Sequence, residues 1–139
     1  MLVGKTGSGK TTLMQRINNY DINYKKTQMV SYEKNIIDTP GEYLENKFYY
    51  KALLVASTQA EIIILIQEAT ADSSLYPPNF KTMFSGKEVI GVITKKDISS
   101  NTINAKKFLN IAGIDEIYEL GLVEDEEFLK LKRRIELYE

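Results

Sequence analysis

A chain of 139 residues is long enough for one compact domain with its own core, and its 18 basic against 19 acidic residues leave a formal charge of -1. That balance gives no long-range field to hold a polyanion, so nucleic acid is not expected as a main partner. Cysteine and histidine are both absent, which removes disulfides, thiolate zinc sites and imidazole-based triads, and leaves chemistry to carboxylates, lysines, hydroxyls and a bound metal.

Met1 to Val3 form an apolar stub that reads as the end of a strand. A central parallel strand usually has about five or six residues, so the first strand is expected to be truncated. Gly4-Lys5-Thr6-Gly7-Ser8-Gly9-Lys10-Thr11-Thr12 follows and fits G-x-x-x-x-G-K-[ST] at every fixed position, between a strand end and a helix start. Glycines let successive N–H groups turn inward toward anionic oxygens, and the helix N-terminus adds partial positive charge. All nine residues are therefore candidate nucleotide contacts. Lys10 is expected to reach the β and γ phosphates and to serve catalysis, and the Thr11 hydroxyl to ligate Mg²⁺.

Leu13, Met14, Ile17 and Tyr20 fall on one face of a helix from Thr11 to Tyr20. Asn18 to Thr27 breaks the period and reads as a loop, in the place where a nucleotide-sensing segment would lie. Gln28 to Glu33 and Asn35 to Asp38 read as a hairpin, and its second strand runs into Asp38-Thr39-Pro40-Gly41. An apolar pair followed by Asp is the Walker B pattern, with Asp38 holding Mg²⁺ through water. Gly41 would bring a bare N–H against a γ-phosphate. A helix from Leu44 to Ala60 is expected next, with Phe48, Ala52, Val55 and Ala56 on its apolar face.

Glu61 to Gln67 is an apolar run bounded by charge, the pattern of a parallel strand covered on both faces. Its aliphatic stretch is far below a membrane span, and no signal-like segment opens the chain, so a cytoplasmic protein without membrane contact is expected. A polar loop, Ala69 to Pro78, and a short helix near Asn79 to Phe84 lead to a second buried strand, Lys87 to Ile93. It runs into Thr94-Lys95-Lys96-Asp97 at the carboxyl end, where ligands sit in a doubly wound sheet. A carboxylate there accepts from the N1–H and 2-amino group of guanine, so Asp97 is expected to select G over A, with Thr94 beside it and the Lys95 stem over the base plane. A helix capped by Ser100 or Asn101, carrying Ile103, Phe108, Leu109 and Ile111, stops at Gly113. A last strand, Ile114 to Leu120, precedes a helix from about Asp125 to Tyr138 with Phe128, Leu131, Ile135 and Tyr138 as its stripe. The basic residues Lys130, Lys132, Arg133 and Arg134 read as its solvated end. The expected fold class is α/β: a single three-layer P-loop nucleotide-binding domain over residues 1–139, mostly parallel sheet with helices on both faces.

P-loop, D-T-P-G and T-K-x-D in this order resemble the small GTPase-like P-loop proteins over the whole chain. Gly4 to Thr12, Lys26-Thr27-Gln28, Ile37 to Tyr43, Ile93 to Asp97 and Ile117-Tyr118-Glu119-Leu120 more closely resemble the EutP/PduV family of ethanolamine- and propanediol-utilisation proteins. The resemblance implies GTP as ligand, with ATP as the alternative, and Mg²⁺ as cofactor. It also implies a role near a protein-shelled microcompartment, with a protein partner or shell component. Thr27 is the candidate threonine that closes on Mg²⁺. Glu42 stands where many small GTPases carry a glutamine that orients water, so slow hydrolysis is expected. Leu120-Gly121 replaces the usual Ser-Ala pair, and Thr94 the usual Asn. Three functions stay open: a GTP-binding switch or assembly factor, an ATP-dependent carboxylate kinase, and a binding-only nucleotide module.

Overall fold

A computed structural model describes residues 1–18, 31–33, 36–122 and 125–136. In chain order it contains β1 (Leu2–Val3), α1 (Lys10–Ile17), β2 (Ser31–Glu33), β3 (Ile36–Asp38), α2 (Glu42–Glu45), α3 (Tyr50–Ser57), β4 (Ile62–Glu68), β5 (Glu88–Thr94), α4 (Ile103–Ile111), β6 (Ile117–Glu119) and α5 (Glu126–Glu136), with 3₁₀ turns at Lys47–Tyr49 and Phe80–Phe84. The sheet order is β2-β3-β1-β4-β5-β6. Only the hairpin pair β2 and β3 is antiparallel; the other neighbours are parallel.

The two long apolar runs sit where such runs must, next to each other in the middle of the sheet and covered twice. On β4, Ile63 and Leu65 face one side, with Leu53 and Ala56 of α3 and Ala105 and Leu109 of α4. Ile62, Ile64 and Ile66 face the other, with Leu13, Met14 and Ile17 of α1 and Phe128 and Leu131 of α5. This alternation makes the three layers. Leu53, Ile63, Leu65, Ile93 and Leu109 are completely buried, each contributing about 1.5 to 3 kcal/mol over an exposed position. Gly91 on β5 admits α4: a Cβ there would lie 2.9 Å from Leu109 Cδ1 and 3.1 Å from Ile114 Cγ2.

The segment after Gly41 departs from expectation, because it is no single helix from Leu44 to Ala60. Asn46 is extended (φ -127, ψ 116) and its Oδ1 accepts from Phe48 N at 3.0 Å, so the chain ends α2 and restarts through a 3₁₀ turn into α3. The apolar face differs as well: Ala56 goes inward as expected, but Phe48 and Val55 are 82% and 70% exposed and Leu53 goes inward instead. Helix α4 starts at Ile103 after Thr102; the Asn101 side chain still accepts the Ile103 N–H, at 3.2 Å, but Ile103 itself is exposed. Gly113, with φ 97, ends that helix as expected. At α5, Asp125 Oδ1 accepts from Phe128 N at 3.1 Å. The basic end of α5 is only partly solvated: Arg134 Nε donates to Glu116 Oε2 at 2.9 Å and the guanidinium also pairs with Glu88. Tyr20, Thr27, Gln28 and Tyr138 lie outside the described residues.

Candidate functional site

The carboxyl ends of β1, β3, β4, β5 and β6 lie on one edge of the sheet, and every motif falls on that edge. Between β1 and α1 the loop bends through left-handed backbone at Gly7 (φ 81) and Gly9 (φ 98), conformations that side chains other than glycine resist. The carbonyls of Gly7 and Ser8 are held from β5: Lys95 Nζ donates to Gly7 O at 2.8 Å and Thr94 Oγ1 to Ser8 O at 2.7 Å. In a planar trans peptide the N–H opposes its carbonyl, so the N–H of Gly9 turns away from β5. Glu68, at the end of β4, ties the two lysines together, at 3.1 Å from Lys95 and 3.9 Å from Lys5. The buried Ser8 Oγ has no hydrogen-bond partner among the described residues.

Lys10 opens α1 and is only 6% exposed. Its Nζ donates to Lys5 O at 3.1 Å. Burial pushes the Lys10 ammonium below its ordinary pKa, against the smaller upward pull of Asp38 and Glu45. Thr11 Oγ1 donates to Asp38 Oδ2 at 2.9 Å, joining the hydroxyl of α1 to the carboxylate that ends β3. Gly41 lies directly on the loop: a Cβ built there would stand 2.1 Å from Thr6 N. Thr6 Oγ1 in turn donates to Glu45 Oε2 at 3.1 Å. Glu42 is exposed at the start of α2, and its side chain makes no hydrogen bond or ion pair among the described residues. Thr27 lies outside those residues.

Beside the first turns of α1 opens a cavity of about 200 Å³, walled by Gly9, Thr12, Leu13 and Arg16, by Thr94 to Ile98 without Lys96, and by Leu120 to Leu122. Lys95 adopts φ 63 and begins a tight turn in which Ile98 N donates to Lys95 O at 3.0 Å, placing Asp97 on the wall. Lys96 N donates to Leu120 O at 3.1 Å, which joins this turn to the end of β6. Three residues at the site carry no sequence motif. Arg16 donates to Gly121 O, Glu68 bridges the lysines, and the buried Tyr76 hydroxyl lies 2.9 Å from Val3 O and 2.7 Å from Ile66 O, under the loop. A tyrosine placed beside Pro77-Pro78 in a polar stretch was the available hint for the last.

The residues fit a magnesium-bound nucleotide on their chemistry. A hydroxyl and a buried carboxylate meet at the helix N-terminus, a lysine waits in the first turn, and a base-sized cavity adjoins them. Loop and sheet define a P-loop domain of three-layer α/β fold. The G domain of the FeoB iron transporter of T. maritima superposes with TM-score 0.64 at 24% identity, covering 99% of this chain and 95% of that one. The FeoB G-domain from Methanococcus jannaschii gives 0.65 at 22%, covering 98% and 93%. Era in complex with MgGDPNP and ribosomal RNA gives 0.66 at 20%, covering 99% and 55%.

The family model described as ethanolamine utilisation - propanediol utilisation, PduV-EutP, matches residues 1–137, and this chain belongs to that family. It is 43% identical over 100 residues to the propanediol utilization protein PduV of Citrobacter freundii, covering 72% of this chain and 66% of that protein. It is 34% identical over 123 residues to the "Probable acetate kinase EutP" of Escherichia coli K12, covering 86% and 77%.

Proposed function

We propose that this chain binds GTP with Mg²⁺, hydrolyses it slowly, and acts as a switch or assembly factor in ethanolamine or propanediol utilisation. The observation that carries the reading is the adjacency of the Asp97-walled cavity to the Gly4 to Thr12 loop at the N-terminus of α1. In this reading Gly4 to Thr12 surround the phosphates, and Lys10 leaves Lys5 O for them. Thr11, and Asp38 through water, would hold the metal, with Thr27 as a further ligand, and Thr94, Lys95 and Asp97 would serve the base. Bound magnesium supplies neutralisation of charge on the phosphate oxygens. Gly41, which packs directly on Thr6, would bring its N–H to a γ-phosphate, and a shift there would reach α2 through the hydrogen bond from Thr6 to Glu45. This is how nucleotide state would reach the surface. The exposed Phe48 and Val55 beyond α2 offer a cytoplasmic protein partner or microcompartment shell component something to read.

Equilibrium titration with GTP, GDP, ATP and ADP tests the assignment. GTP and GDP are expected to bind on the order of 10³-fold more tightly than their adenine counterparts. Equal affinities would remove the role given to Asp97.

A second reading has its own support: the relative in Escherichia coli K12 is named as a probable acetate kinase. The same cradle would then hold ATP and pass its γ-phosphate to a small carboxylate. Acetyl phosphate formed from ATP and acetate, faster than phosphate is released to water, would establish it. A chain that binds nucleotide and does neither is a binding-only module.

A further inference from the structure

We propose that Thr6 is a phosphorylation site that the chain modifies itself: its hydroxyl takes the γ-phosphoryl group of a nucleoside triphosphate bound in the loop, with Glu45 as general base. The inference rests on the nucleotide reading above and is the same for GTP and ATP. Thr6 is an exposed residue of the phosphate loop, and its Oγ1 donates at 3.1 Å to Oε2 of Glu45, the last residue of α2. A hydroxyl within hydrogen-bond reach of a carboxylate is the pairing that activates an oxygen nucleophile.

Three contacts put this pair at the place given to the γ-phosphate. Lys10 Nζ, the group proposed to meet the β and γ phosphates, donates at 3.1 Å to Lys5 O, and that carbonyl shares its peptide unit with Thr6 N. The Glu45 carboxylate is close enough to favour the charged form of Lys10 against the effect of burial. Gly41, the glycine proposed to face the γ-phosphate, packs so closely on Thr6 that a Cβ on it would overlap Thr6 N and Oγ1. Lysine, hydroxyl, carboxylate and glycine therefore converge. A nucleophile held beside its target replaces a bimolecular encounter, and slow transfer to water leaves a bound triphosphate time to meet it. In the step a bond forms between Thr6 Oγ1 and the γ-phosphorus, and the bond from that phosphorus to the β,γ-bridging oxygen breaks. The nucleoside diphosphate leaves with the electron pair, and the hydroxyl proton passes to Glu45 and then to solvent. The product is a phosphothreonine whose charge, beside the Glu45 carboxylate, would repel α2.

The test is incubation of the purified full chain with magnesium and γ-labelled GTP or ATP, followed by tandem mass spectrometry, with binding of both triphosphates measured in parallel by calorimetry. Gain of one phosphoryl group on Thr6, at a rate independent of protein concentration, is expected. Thr6→Ser should be labelled at the same position and Thr6→Val should not, while Glu45→Gln should be labelled on the order of 10²-fold more slowly. Lys10→Ala should take no label, which excludes a contaminating kinase. A bound triphosphate with no phosphothreonine formed, label on other residues alone, or labelling that Glu45→Gln or Lys10→Ala leaves unchanged overturns the proposal. A wild type that binds neither triphosphate removes the nucleotide reading itself, and the proposal with it. Should the variants fail to fold, wild type alone decides: label on Thr6 with concentration-independent kinetics supports the step, and a rate that rises with protein concentration overturns it.

Discussion

Lys10 sits in tension before any ligand arrives. Burial costs its ammonium more than Asp38 and Glu45 return, so its pKa in the folded chain lies below the ordinary 10.5. The folded chain therefore binds fewer protons than the unfolded one between the lowered value and 10.5. Stability in that alkaline window rises with pH, and falls as pH drops through the folded value. A triphosphate against Lys10 reverses the balance by favouring the charged form. Binding should then be coupled to proton uptake, and affinity should weaken as pH rises through the window. Calorimetry in buffers of different ionisation enthalpy measures that uptake; none in wild type, or the same uptake in Lys10→Ala, would place Lys10 away from the phosphates. Asp97 supports a sharper test, because in the proposed reading its carboxylate would accept from two donors of guanine. Asp97→Asn presents a donor and an acceptor instead, which suit the 2-carbonyl and N1–H of xanthine. GTP affinity should drop on the order of 10³-fold while xanthosine triphosphate gains. An equal loss for GTP and ATP would mean that the residue only shapes its turn.

At the scale of elements, the strands were legible because their burial is written in continuous apolar runs, and β4 and β5 lie within a residue of their expected bounds. The phosphate loop and the T-K-K-D turn were legible because glycine and charge are required there at fixed spacing. The helix after Gly41 departs from its sequence pattern for a physical reason: Phe48 and Val55 recur at helical spacing, but Asn46 supplies a local hydrogen bond that ends one helix and begins another. Arg16 and Tyr76 were illegible because their partners are backbone carbonyls far along the chain, and carbonyls carry no sequence signal. Tyr76 is the more exposed to test. Its hydroxyl, drawn in from the 69–79 connection, is shared between the carbonyls of Val3 and Ile66, and burial pushes its pKa up, keeping the proton it donates. Tyr76→Phe retains the ring packing against Phe80 and strands a buried carbonyl. A loss of about 1 to 3 kcal/mol in urea unfolding is expected, with an unchanged m-value. No loss would show that water replaces the hydroxyl and that the tether does not support the loop.

For the whole molecule, the sheet delivers the residues of a binding site to one edge, but it delivers few of the groups that fast phosphoryl transfer to water requires. Such transfer needs an in-line nucleophile and neutralisation of charge gathering on the γ-oxygens. In the proposed reading, Lys10 and a metal held by Thr11 and, through water, by Asp38 would serve the second need. The chain's three arginines are elsewhere: Arg16 is committed to Gly121 O and Phe128, Arg134 to Glu88 and Glu116, and Arg133 lies on the same terminal helix. An arginine finger in such systems is worth about 10³ to 10⁵ in rate. The first need fares no better, because Glu42 is exposed and carries a charge that repels a γ-phosphate. The expected outcome is GTP hydrolysis by the isolated chain with kcat on the order of 10⁻² s⁻¹ or lower, accelerated by a partner or cation that supplies the missing charge. Steady-state phosphate release from purified protein measures it, with Lys10→Ala as the control for contaminating activity. Turnover near about 1 s⁻¹ without a partner would refute the argument, since typical kinase rates begin there. If Glu42 is part of the cause, Glu42→Gln should raise the rate while leaving GTP affinity nearly unchanged, because the side chain makes no hydrogen bond or ion pair with the cradle among the described residues.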